Sequence, residues 1–231
     1  MTYKRDGFQI LSLPKIIDDV AALKSDFQHR YFDRFSKDPE LNRNIIKRFA
    51  DCPGVSRIFD NVELLERISE AAGIDSPVFC GPIVTHYTSD DLTGSSYALP
   101  FHQDYPSMAS SKNSVIVWTS ITPSGPETHG VEICKSEDPF KLVDGSQTDH
   151  GYVVHKQEYH HSELVIPSIS PGEVLIMSPY LIHRTYLNEN FAGWKLSLSR
   201  RLDDFDDQSW ATKKYGNAYL NIVDRNKFLT G

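Results

Sequence analysis

The run Pro100-Phe101-His102-Gln103-Asp104 sets an imidazole and a carboxylate two residues apart. In an extended strand such residues project to the same face, so His102 and Asp104 can form two teeth of one metal grip. Imidazole with carboxylate suits Fe(II), and a second histidine from a distant strand would complete a two-His, one-carboxylate face that leaves positions open for other ligands. His183 is the best third ligand. It ends the stretch Pro171-Gly172-Glu173-Val174-Leu175-Ile176-Met177-Ser178-Pro179-Tyr180-Leu181-Ile182-His183, which reads as a tight turn, an apolar strand, a second turn and a histidine. A His-x-Asp triplet alone is a weak signal, because most are surface coincidences or hydrogen-bonded pairs. Its weight comes from the elements around it.

Those ligands need strands to hold them. After Asp75 the chain turns to short runs rich in Val, Ile, Thr and Tyr, separated by Gly, Pro, Ser and Asp, with strands expected at 78–87, 98–102, 114–121, 130–134, 163–166, 173–178, 182–186 and 195–202. That many strands without long intervening helices favour a double-sheet barrel. Upstream, Ile16, Ile17, Val20, Leu23, Phe27, Tyr31 and Phe35 recur at helical steps, predicting a helix over 15–37 begun by Pro14. Further helices are expected over 38–50 and 62–72, the last stopped by Gly73. The expected fold is mainly β with helical additions: a double-stranded β-helix (jelly-roll, cupin-like) core with N-terminal helices packed outside. One domain is expected over 1–231, with a mostly helical part at 1–75, a barrel at 76–202 carrying an insertion at 144–161, and an extension at 203–231.

The order of these motifs resembles the phytanoyl-CoA dioxygenase-like branch of the 2-oxoglutarate oxygenases. The likeness runs from about residue 79 to 202: the His102-Gln103-Asp104 strand end, a strand ending in Trp (Ser114-Val115-Ile116-Val117-Trp118), the stretch His129-Gly130-Val131-Glu132-Ile133, the Pro171-Gly172-Glu173 turn, His183, Thr185 two residues on, and Asn188. The resemblance implies iron held by His102, Asp104 and His183, with 2-oxoglutarate and dioxygen as cosubstrates, and oxidation of a substrate C–H bond coupled to decarboxylation of 2-oxoglutarate. It implies cosubstrate contacts at Thr185 and on the last barrel strand, where an Arg is usual for the distal carboxylate. This chain departs from that pattern by placing Lys195 there. Strand alternation puts Lys195, Ser197, Ser199 and Arg201 on one face, so Lys195 with Ser197 is the preferred clamp and Arg201 the alternative. Lysine offers a point charge rather than the two-pronged bond of a guanidinium. The carboxylate at Asp104 favours hydroxylation or desaturation over halogenation, since related halogenases lack it to admit chloride.

Lower-ranked substrate contacts are His86, Tyr87, Tyr105, Trp118 and His155, each set against an ordinary structural role. Arg184 should point away from its neighbour His183 and make a salt bridge. The polar insertion 144–161 carries His150, His155, His160 and His161, without cysteine or closely spaced acidic partners, so a lid over the barrel mouth is expected in preference to a second metal site.

Composition limits the partners. A formal charge of −7 with no basic tract argues against a nucleic-acid binder. Three cysteines at unrelated spacings (Cys52, Cys80, Cys134) fit neither a disulfide framework nor a zinc ribbon. The apolar patch near the N-terminus is broken by Pro14 and followed by acids, fitting neither a signal peptide nor a membrane span, and a cytoplasmic location is expected. The sequence thus reads as an enzyme that hydroxylates a small polar metabolite. A cupin-like metalloenzyme that does not use 2-oxoglutarate, and a non-catalytic jelly-roll carbohydrate-binding module, are the alternatives.

Overall fold

The computed structural model describes residues 2–30, 38–89, 98–108, 110–149 and 151–209. In chain order the elements are α1 (Tyr3–Asp6), β1 (Phe8–Leu11), α2 (Pro14–Arg30), α3 (Pro39–Phe49), α4 (Pro53–Phe59), α5 (Val62–Ala72), β2 (Pro77–Phe79), β3 (Val84–Ser89), β4 (His102–Gln103), α6 (Tyr105–Met108), β5 (Val115–Ser120), β6 (Gly130–Cys134), β7 (Gly145–Thr148), β8 (Gly151–Val154), β9 (Leu164–Val165), β10 (Val174–Met177), β11 (His183–Tyr186) and β12 (Trp194–Asp204). Tyr31, Phe35, His150 and the part of the expected C-terminal extension from residue 210 onward lie outside the described residues.

The strands form two six-stranded antiparallel sheets. The first runs β1-β10-β5-β12-β2, with β3 also paired to β12; the second runs β7-β8-β4-β11-β6-β9. Strand alternation divides the apolar residues between two layers. Val115, Val117, Val174, Ile176, Leu196 and Leu198 turn outward and pack with Ile16, Val20, Leu23 and Phe27 of α2 and with α4 and α5. Each such buried side chain contributes on the order of 2 kcal/mol, which holds the helices on the first sheet. Ile116, Trp118, Leu175 and Met177, from the other face, pack with Val131 and Ile133 of the second sheet. The two sheets therefore face each other over a shared interior, consistent with a double-stranded β-helix.

Local chemistry explains several element ends. Asn61 caps α5 by accepting the Leu64 amide at 2.9 Å, and Gly73 ends it at φ 76°. Gly172, at φ 86°, turns the chain into β10 so close to α2 that a Cβ would sit 2.5 Å from the Ile17 Cα. Where one strand was expected over 78–87, the chain makes β2 and β3, because Gly81 adopts φ 86° and Pro82 can donate no ladder hydrogen bond. Of the strand expected over 98–102 only His102 lies in a strand, the two-residue β4. β1 was not foreseen, since four residues following a one-turn helix carry too short an alternation to register; α4, opened by Pro53, was likewise missed.

The insertion departs from the lid expectation. β7 and β8 form a hairpin that hydrogen-bonds to β4, with Val153 opposite His102, and so extends the second sheet sideways. Beyond it, Tyr159 packs its ring 4.3 Å from that of Phe101 on the outer face of that sheet. Backbone pairing to a strand edge, rather than the polar side chains, fixes this segment. Among the described residues no helix is long and apolar enough to cross a membrane.

Candidate metal centre

His102 opens β4 and His183 opens β11, and the antiparallel register sets the two opposite each other. Their rings stand 4.2 Å apart between centroids. Asp104, one residue beyond β4, returns to the same side, with its Oδ1 3.4 Å from His102 Nε2. One ligand atom from each of the three residues lies within 4.8 Å of the others. The histidine orientation is set by the backbone: Nδ1 of His102 is 2.8 Å from the Pro100 carbonyl and Nδ1 of His183 is 2.9 Å from the Leu181 carbonyl. Each Nδ1–H donates there, leaving the Nε2 lone pairs turned inward, which is the tautomer a metal requires. Gln103, between the two ligands, faces the other way. Its amide donates to the Lys141 and Tyr180 carbonyls and accepts from Val143 N at 3.1 Å, anchoring β4 to the 141–143 segment and to the turn before β11.

The charges reinforce this donor set. Burial pushes His183 down to about 4, and the neighbouring His102 adds to the effect, so it offers a neutral imidazole at neutral pH. Burial alone would raise the Asp104 carboxyl, but the guanidinium of Arg201 and, after it, the adjacent His102 hold it well below the usual carboxylate range. Two imidazoles and one carboxylate turned to the same side fit a divalent transition metal with open positions.

One pocket between the sheets connects this cluster to the inner face of β12, and its lining includes His86, Trp118, Thr185, Lys195, Ser197, Ser199 and Arg201. Lys195 is 3% exposed; its Nζ donates to the Gly130 carbonyl at 3.3 Å and lies 5.4 Å from the centre of the Trp118 ring. Among the described residues no carboxylate forms an ion pair with it, and burial lowers its ammonium to about 8. Ser197 donates to the His86 carbonyl at 3.4 Å, and Thr185 accepts the Leu99 amide at 3.1 Å, tying the approach to β4 against β11. His86, enclosed by the pocket walls, is pushed down to about 3 by burial and then by Arg201 and Lys195, and is a neutral imidazole facing the cavity.

Three expected substrate contacts lie elsewhere. Tyr87 alternates away from His86 and stacks on Trp194 on the helical side of the first sheet, with ring centroids 6.2 Å apart. Tyr105 lies in α6 and stacks on Tyr180 at 4.2 Å instead of forming a wall with Trp118. His155 is exposed on the insertion, 2.9 Å from Ser146 Oγ. His160 and His161 are also exposed there. Arg184 points outward as expected, pairs with Glu132 and lies 4.5 Å over the Phe101 ring. The Arg201–Asp104 contact was not foreseen. The signal for it was present in strand alternation, which put Arg201 on the pocket face, but the depth of each residue along β12 cannot be read from sequence.

No protein-family model matches the chain, and no curated protein matches it. Among solved structures, the apo form of EctD from S. alaskensis aligns with a TM-score of 0.64 at 13% identity, over 89% of this chain and 76% of that one. AviO1 from Streptomyces viridochromogenes Tue57 aligns at 0.63 and 13%, over 89% and 93%. The non-haem α-ketoglutarate-dependent epimerase SnoN of nogalamycin biosynthesis aligns at 0.61 and 12%, over 87% and 80%. At such identities the likeness establishes a shared fold, one that includes non-haem α-ketoglutarate-dependent enzymes.

Proposed function

We propose that this chain is an Fe(II)- and 2-oxoglutarate-dependent oxygenase of the phytanoyl-CoA dioxygenase-like branch, hydroxylating a small polar metabolite. One observation carries the reading: the His102–Asp104–His183 donor set and a buried lysine with no acidic partner among the described residues line the same pocket. The fold is shared with EctD, crystallised with 2-oxoglutarate and 5-hydroxyectoine, and with SnoN, crystallised with Fe3+ and α-ketoglutarate.

In this reading His102, Asp104 and His183 hold the metal, which with 2-oxoglutarate and dioxygen supplies the oxidising power for a C–H bond. Lys195 neutralises the distal carboxylate of the cosubstrate, with Ser197 and Thr185 beside it. Among the described residues no acid pairs with Lys195, whereas Arg184 and Arg201 in the same pocket each have one, so an anion there relieves the cost of its burial. His86 and Trp118 line the path between the two ends and exclude water from it. The catalytic chain is taken as one domain acting in the cytoplasm on a small molecule, with no nucleic-acid partner. The reading is tested by incubating the Fe(II)-loaded protein with 2-oxoglutarate and oxygen. Succinate formation that is lost in His183→Ala is expected; absence of succinate from the wild type across candidate substrates and in their absence overturns it.

A metalloenzyme that uses no 2-oxoglutarate is favoured by one feature, the existing bond from Lys195 to the Gly130 carbonyl. Fe(II) binding with no affinity for 2-oxoglutarate would select that alternative.

A further inference from the structure

Near the metal end of β12, the side chain of Arg201 divides the two oxygens of Asp104. Its Nη2 donates to Asp104 Oδ2 at 3.0 Å, while Oδ1 stays on the histidine side, 3.4 Å from His102 Nε2. The other terminal nitrogen, Nη1, donates to Ser199 Oγ at 3.0 Å, so the guanidinium is fixed from its own strand. All four side chains line the pocket, and the side chain of Arg201 is 7% exposed and that of Asp104 14%.

Resting on the metal-centre reading above, we propose that Arg201 is a positioning residue that restricts Asp104 to one-oxygen metal ligation through Oδ1. A carboxylate with both oxygens free can rotate and chelate a cation with the pair, as carboxylates do at calcium sites. Chelation would fill one of the positions that this donor set otherwise leaves open. The planar, always-charged guanidinium removes Oδ2 from competition by a charge-assisted bond in a water-poor setting, and Ser199 prevents it from swinging aside. Arg201 therefore serves the metal carboxylate, and the distal carboxylate of a cosubstrate falls to Lys195. The two cations of this strand face are not interchangeable.

Cobalt(II) titration of the whole chain, followed by visible ligand-field absorption and by calorimetry, separates this from a purely structural role. Loss of an outer partner of a metal ligand weakens binding by about 10–100-fold, and that loss is expected for Arg201→Met. Its ligand-field bands should also weaken, as the released carboxylate raises the coordination number. Arg201→Lys, which keeps a cation and one donor, should recover part of both, and Ser199→Ala should shift both in the Arg201→Met direction by less. If Arg201→Met does not fold, Arg201→Lys and Ser199→Ala carry the test, and a wild-type spectrum and affinity in both overturns the proposal. The same result in a folded Arg201→Met overturns it directly. Failure of the wild type to bind cobalt, or equal binding by His102→Ala, instead removes the metal-centre reading itself.

Discussion

The two ends of the inner face of β12 handle charge in opposite ways. At one end Arg201 is matched by Asp104, and Asp104 in turn faces two histidines whose Nδ1 atoms are tied to backbone carbonyls. At the other end Lys195 has a carbonyl and an aromatic face but no acid among the described residues. On the proposed reading, the difference marks the end at which an anion would bind. A charge network closed on itself sets geometry, whereas a buried cation left without a counter-charge is destabilising until a ligand supplies one.

Removing a direct ligand gives the largest expected break in this contrast. His102→Ala or His183→Ala should abolish stoichiometric Fe(II) binding and with it any turnover, measured by anaerobic metal analysis; metal retained in both would dissolve the difference between the ends.

Lys195→Met should act on the other end alone. A hydrogen bond to a charged group is worth about 1.5–3 kcal/mol, so 2-oxoglutarate affinity should fall by roughly 10–100-fold in calorimetry while metal affinity holds. The apo protein should become more stable, because a buried charge is replaced by an apolar chain of similar length. A parallel loss of metal affinity would show that the two ends are one unit.

The pH dependence follows from the same lysine. Its folded value of about 8 lies below the ordinary 10.5, so the folded apo protein gives up the proton first. Between those values the unfolded chain binds more protons, and apo stability should rise with pH, with the cost of burying the charge fully present below about 8. Cosubstrate affinity should move the other way, falling as pH rises through about 8 by at most about tenfold per unit. Lys195→Met should flatten both profiles.

The smallest effect is expected on the insertion. His155→Ala touches neither end, so metal and cosubstrate affinities should be unchanged and stability should move by no more than about 0.5 kcal/mol. A clear loss of 2-oxoglutarate affinity would restore a lid role for this segment.

What was legible in the sequence depended on period. Alternation placed Lys195, Ser197, Ser199 and Arg201 on one face of β12, and that face does line the pocket. His-x-Asp spacing and the distal turn–strand–turn run brought His102, Asp104 and His183 to one cluster. Applied to the neighbouring strand, the same alternation would have excluded Tyr87 once His86 was turned inward. The insertion failed for a different reason: pairing of β8 to β4 is made by backbone atoms, which leave no trace in side-chain type. Depth along a strand is equally silent, so the sequence offered Arg201 as a spare clamp while the three-dimensional register carries it to Asp104.

The most direct measurement is an anaerobic titration of the Fe(II)-loaded protein with 2-oxoglutarate, followed by the visible charge-transfer absorption of the chelate. The pocket described above predicts a saturable band in the wild type, no band in His183→Ala, and a band in Lys195→Met that needs roughly 10–100-fold more 2-oxoglutarate. Iron bound with no band at saturating 2-oxoglutarate, or a Lys195→Met curve that overlays the wild type, would contradict it.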